Sequence, residues 1–157
     1  MDCDDFMYYY FREFNSVNNP KKIPFIVYMS NIGLIKGGFM NWVVKATLVC
    51  PYTGTVFSTI QSVKNLQLII WYSAVKILLP SDIISPDTKG FIVNGHFQLL
   101  ELYKLDPYND EWWEFLKSTL SCPANTVIKL ETCTFPSHCH FKKCPYGCQH
   151  NNSALKK

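Results

Sequence analysis

The side chains able to do chemistry are concentrated in eighteen residues, Cys133 to His150. This stretch holds four of the chain's seven cysteines and three of its four histidines. Thiolate and imidazole are the usual protein ligands of zinc, and neighbouring lysines favour the thiolate form. Lys142, Lys143, Lys156 and Lys157 supply such charge, and no acidic residue follows Glu131. Four residues separate Cys139 from Cys144 and three separate Cys144 from Cys148, gaps that suit a turn closing on one ion. This is not the paired CxxC arrangement, so thiols or disulfides in a flexible tail stay open beside a metal site.

Positioning such a tail needs a folded body, and 157 residues supply one domain with a sizeable core. Apolar residues make up 48% and charged residues 17%, a composition that favours covering part of the surface with a partner. Met1 to Asp5 is acidic, with no basic n-region and no apolar h-region behind it, which reads as no secretory signal. No apolar run, Leu68 to Tyr72 included, is long enough to span a bilayer. An intracellular, reducing setting follows as an expectation, and there metal binding outranks disulfides. No glycine-rich phosphate loop or serine elbow occurs. Cys139 lies between His138 and His140, but adjacent side chains do not aim at one substrate atom, so the chain reads as non-catalytic.

Residues 1–22 read as an aromatic helix and a polar hinge ended by Pro20. Residues 23–150 read as one α+β domain whose Cys/His-rich end is 133–150, and 151–157 as a tail. Pro24 to Met29 has the composition of a buried strand. Asn41 to Ile60 predicts a hairpin turning at Pro51-Tyr52-Thr53-Gly54, with Cys50 at its end, either a small core residue or a side chain within reach of a metal. Ser62 to Leu79 predicts the main helix, capped by Ser62, closed by Pro80 and central to the core, with Leu68 to Tyr72 open as a strand of its own. Asn94-Gly95 between apolar runs predicts a second hairpin. Asn109 should cap a helix with Trp112 inward and Trp113 partly exposed as a contact point. Thr126 to Thr132 alternates as a half-buried strand. The expected architecture is an antiparallel or mixed sheet with hairpins, packed by the Ser62–Leu79 helix.

An ordered series of short pieces resembles the adenovirus early region four 34-kilodalton protein family. Upstream lie Asn31-Ile32, Gly38, Trp42, Leu48-Val49-Cys50, Gly54 and Val56. Ile70-Trp71-Tyr72, Leu79-Pro80-Ser81-Asp82-Ile83, Phe91, Gly95-His96, Leu100 and Leu102-Tyr103 follow. Asn125, Val127-Ile128, Leu130, Cys133 and Lys142-Lys143-Cys144 complete it. The resemblance covers about Ile23 to Cys148, and the chain looks like a shortened member. It implies an adaptor that joins a cullin-type ubiquitin ligase through elongin B and elongin C. With a second viral early protein, it would direct host proteins to destruction from the host nucleus and cytoplasm. Thr47-Leu48-Val49-Cys50-Pro51-Tyr52 begins like the family's elongin-binding box but carries Tyr52 where a cysteine belongs. The partner-binding candidates are therefore Leu48, Cys50 and Trp113. Cys133 and Cys144 fall at matching positions, giving a zinc set of Cys133, Cys139, His140 and Cys144, with Cys148 and Cys50 in reserve.

Two other readings stand beside the adaptor. One is a zinc-stabilised nucleic-acid-binding module using Phe141, Lys142, Lys143 and Tyr146, against which four lysines are few. The other is a protein-binding relative that has lost ligase recruitment.

Overall fold

The computed structural model describes residues 40–87, 90–126, 132–133, 139–141 and 143–150. The helix expected near Asp4 and the strand expected at Pro24 lie outside the described residues, as does most of Thr126 to Thr132.

The body is a seven-stranded antiparallel sheet. In chain order the strands are β1 (Trp42–Cys50), β2 (Thr55–Ser62), β3 (Gln67–Ala74), β4 (Ile83–Pro86), β5 (Phe91–Val93), β6 (His96–Gln98) and β7 (Leu100–Pro107). Their spatial order is β6-β5-β4-β1-β2-β3-β7. The two ends of that order, β6 and β7, are separated only by Leu99. One bent stretch therefore borders β5 at one end and β3 at the other, and the sheet curls round towards closure as a small barrel. Irregularities in register, between Val44 and Ala46 on β1 and between Trp71 and Tyr72 against β7, add the local twist this needs.

The predicted central helix over Ser62–Leu79 is not formed. Residues 67–74 are β3, paired with β2 on one side and β7 on the other. The helical reading failed because Leu68 to Tyr72 is apolar without alternation, and a strand covered on both faces loses its period of two. Leu68, Ile70 and Tyr72 face the barrel interior with Trp42, Val44, Ile60 and Leu78. Ile69 and Trp71 face outward, beneath the one α-helix of the described residues, α1 (Asp110–Thr119). Ser62, expected as a helix cap, instead accepts from the amides of Lys64 and Leu66 at 3.3 and 3.2 Å in the β2–β3 turn. Among the described residues the fold is thus a curled antiparallel sheet with one peripheral α-helix, not an α+β layer built on a central helix.

Local signals explain the other elements. The hairpin expected over Asn41 to Ile60 is β1–β2, and Gly54 closes its loop at φ +69° with its amide on Cys50 O. Asn94 and Gly95 both take positive φ in the β5–β6 turn. Asn109 caps α1 by accepting from Trp112 N at 2.8 Å, with Asp110 and Glu111 in the first turn. Trp113, Leu116 and Leu120 are buried while Trp112 is only half-buried, the reverse of the expected tryptophan arrangement. The cap fixes the phase of the helix, and Trp113 shares a face with Leu116 and Leu120.

Candidate functional site

Beyond α1 the chain returns to β1 and fastens there. A 3-10 turn, Pro123–Asn125, follows Cys122. Asn125 then acts as a piece of sheet: its Oδ1 accepts from Val49 N at 2.8 Å and its Nδ2 donates to Val49 O at 2.9 Å. Tyr146 comes in beside it, its hydroxyl 2.9 Å from Asn125 Oδ1 and 3.1 Å from Thr47 O. Burial pushes the Tyr146 phenol well above its ordinary range. At the β1–β2 loop, the His140 amide donates to Pro51 O at 2.6 Å. Finally β8 (Thr132–Cys133) and β9 (Gln149–His150) pair in parallel, with Cys133 opposite His150.

These fastenings bring Cys122, Cys133, Cys139, Cys144 and Cys148 into one neighbourhood, with Cys50 near Cys139. Cys122, Cys133 and Cys148 are buried; Cys139 and Cys144 are half-buried. Burial, reinforced by the other thiols, pushes Cys122 and Cys148 up to about 11. Cys139 is raised for the same reason.

The residues expected to hold zinc are thereby placed individually. Cys133, Cys139 and Cys144 share the neighbourhood. His140 is exposed, and its ring lies so close to Gly54 that a Cβ there would meet Cδ2 at 2.5 Å. Among the described residues, no group of three or more His, Cys, Asp or Glu side chains stands arranged to hold a metal ion. Cys122 lies outside the Cys133–His150 stretch that supplied the expected zinc set. Its membership in the thiol inventory was visible, but its meeting with Cys144 depends on the return of the chain to β1. Leu48, Cys50 and Trp113, the expected partner contacts, are buried to 5%, 0% and 4% exposure in the cluster under α1. They hold the helix to the sheet and offer no surface in this fold.

Exposed apolar side chains lie elsewhere. The β3–β7 register ends at Ala74 opposite Leu100, so Val75 and Leu99 follow as neighbours just beyond the ladder. Val75 is fully exposed, Leu99 is 71% exposed, and Phe97 two residues earlier is 52% exposed.

The profile of the IraM/PmrD family matches residues 40–114. Over 108 residues the chain is 34% identical to the anti-adapter protein IraM of Citrobacter koseri, spanning 69% of this chain and 95% of that protein. The chain belongs to the IraM/PmrD family. Anti-adapter protein IraM of Klebsiella pneumoniae is 36% identical over 107 residues, covering 68% of this chain and 92% of the relative. That of Escherichia coli K12 is 34% identical over 108 residues, covering 69% and 98%. Among solved structures, E. coli PmrD aligns with 51% of this chain and 99% of its own at a TM-score of 0.44 and 15% identity.

Membership in the IraM/PmrD family, with these bacterial relatives, overturns the adenovirus resemblance and what it implied. A viral early protein, a host nucleus, elongin B and elongin C, a cullin ligase and a viral partner are all withdrawn. The physical reason is plain in the fold. Ile70-Trp71-Tyr72 is a core strand, Leu79 to Ile83 a turn entering β4, and Gly95-His96 a hairpin. The supposed elongin box, Thr47 to Tyr52, is strand and turn, where a helix was required. The relatives carry the name of regulators rather than of enzymes. No helix among the described residues is long and apolar enough to cross a membrane.

Proposed function

We propose that this chain is a non-catalytic anti-adapter, which binds an adaptor protein and thereby keeps it from its cargo. The observation that carries the reading is identity of 34–36% over 92–95% of relatives bearing that name. Binding of this kind requires no reacting group. It requires a rigid scaffold presenting an apolar patch with aromatic or aliphatic anchors.

The curled sheet provides the scaffold, and the exposed side chains of Val75 and Leu99, which follow the last β3–β7 pair, provide such anchors. Their side chains are bared by the end of the β3–β7 ladder, so binding would bury them without disturbing the core. The test is a titration of an adaptor from a relative's organism with the purified chain, read by calorimetry and by loss of cargo binding. The expected result is saturable binding that competes with cargo. A Val75→Lys, Leu99→Lys double variant should weaken it at least about tenfold with unchanged thermal stability. Failure of the unaltered chain to bind the adaptor at micromolar concentrations would remove the reading. Full binding by the double variant would move the contact to another surface.

A further inference from the structure

We infer that Asn94 is a site of spontaneous deamidation, restrained by Asp82, and that its conversion releases the β5–β6 hairpin from the turn before β4. The inference is independent of the anti-adapter reading and needs only the chain's own groups and water. Asparagine is a thermolabile residue, and a following glycine leaves the next backbone nitrogen unshielded because it has no Cβ. Here both residues are exposed, at φ +49° and +82°. Nothing lies within 4 Å of the place where a Gly95 Cβ would stand.

The carboxamide is held from two sides. Asn94 Oδ1 accepts from Ile83 N at 2.9 Å, and Asn94 Nδ2 donates to Asp82 Oδ1 at 2.7 Å. The other carboxylate oxygen of Asp82 accepts from Leu79 N at 2.8 Å, and the Asp82 amide donates to Leu79 O at 3.0 Å. Between them Ser81 stands at φ +78°, a left-handed conformation that serine rarely adopts. The turn is moored to β1 by Ser81 N on Val44 O at 2.8 Å and Val44 N on Asp82 O at 2.9 Å. One side-chain amide thus ties the hairpin to a strained turn that directly follows the buried Leu78.

Conversion begins when the Gly95 nitrogen attacks Asn94 Cγ. A C–N bond forms, the Cγ–Nδ2 bond breaks, and Nδ2 leaves as ammonia with the proton from Gly95. Water then opens the cyclic imide. Opening at Cγ leaves aspartate; opening at the backbone carbonyl carbon leaves isoaspartate, whose chain is longer by one carbon. Nothing is oxidised or reduced. Attack requires Cγ to swing towards Gly95, a rotation that the bonds to Ile83 and Asp82 oppose. In the aspartate product the donor to Asp82 has become a carboxylate oxygen. Two like charges then stand where a charge-assisted hydrogen bond stood. Isoaspartate also disturbs the Val93–His96 and Ile92–Phe97 pairing by lengthening the turn.

The experiment incubates the full-length chain at mildly alkaline pH and follows Asn94 by peptide mass spectrometry, with an enzymatic isoaspartate assay in parallel. The folded chain should convert at Asn94 at least about tenfold more slowly than the same chain in guanidinium chloride. Asp82→Ala should close most of that gap, whereas Asp82→Asn, which keeps an acceptor oxygen, should stay near the unaltered rate. Asn94→Asp stands for the product. Its amide hydrogen exchange should rise at Leu79 to Ile83 and at Ile92 to Gln98, with β2 and β3 unchanged. Where Asp82→Ala does not fold, that exchange pattern and the ratio of folded to unfolded rates decide. The inference is overturned by a folded chain that never converts at Asn94 or converts as fast as the unfolded one. Equal rates in folded Asp82→Ala and the unaltered chain, or unchanged exchange in Asn94→Asp, would overturn it as well.

Discussion

At the scale of single residues, Leu78 shows how a buried backbone can be satisfied without secondary structure. Its amide donates to the Tyr72 hydroxyl at 3.1 Å, and its carbonyl accepts from Thr47 Oγ1 at 2.8 Å. Ser58 Oγ lies 2.7 Å from Thr47 Oγ1 and 3.0 Å from the Tyr72 hydroxyl. Each hydroxyl has one proton, and Thr47 spends its own on Leu78 O. Ser58 must then donate to Thr47, and Tyr72 to Ser58. The result is a closed ring that leaves Leu78 N–H and returns to Leu78 O through three side chains. It lets a loop residue plug the barrel at full burial. Burial raises the Tyr72 phenol from 10.0 to about 12. A folded-state value above the ordinary one means that the folded chain holds this proton more tightly. The associated stability is whole below pH 10 and is lost as the pH climbs towards 12, about 2–3 kcal/mol in all. Urea titrations between neutral and alkaline pH should show this decline in the unaltered chain. Tyr72→Phe should lack that component and be weaker at neutral pH by about 1–3 kcal/mol, since Leu78 N–H is left unpaired.

At the scale of elements, α1 is held by its packing more than by its ten residues of helix. Trp113, Leu116 and Leu120 lie on Leu48, Phe57, Ile69 and Trp71, and Trp71 stacks on Phe57 at 5.7 Å and 4°. Trp113→Ala should cost about 3–5 kcal/mol in equilibrium unfolding. Trp112→Ala, which removes a half-buried ring stacked on Phe115, should cost about 1 kcal/mol. Equal losses would return the helix phase to the one read from sequence. The existence and cap of this helix were legible, because Asn109 and the two acids after it act locally. Its phase was not, because Trp112 and Trp113 are chemically identical candidates and only the sheet beneath selects between them. The β3 segment is the opposite case: its apolar run was noticed, yet its state depended on what covered each face.

At the scale of the whole molecule, Asn125 stitches the C-terminal segment to the barrel across 76 positions of sequence. Val49 pairs with Val56 on one side, and on the other its amide and carbonyl are met by a side chain in place of a strand. Asn125→Ala should cost about 2–3 kcal/mol, chiefly by leaving those two groups unpaired. It should also raise amide hydrogen exchange around Cys144 to Cys148 more than in β2 and β3. Uniform exchange throughout would show that the segment and the barrel open as one unit and that the stitch is not local.

The sequence by itself determined what local chemistry controls: the Pro51–Gly54 and Asn94-Gly95 turns, the Asn109 cap, and a thiol-rich C-terminal stretch. Periodicity could not separate helix from strand where both faces are covered, so the central helix was a misreading that only tertiary packing corrected. Short strand and turn pieces in order could not identify a family, because such pieces reflect local turn chemistry and packing rather than function. Which cysteines meet, that Cys122 joins them and that His140 turns to Gly54 were decided by the chain's return to β1. Contacts between residues so distant in sequence are set by the global path of the backbone, to which no local pattern of residues has access.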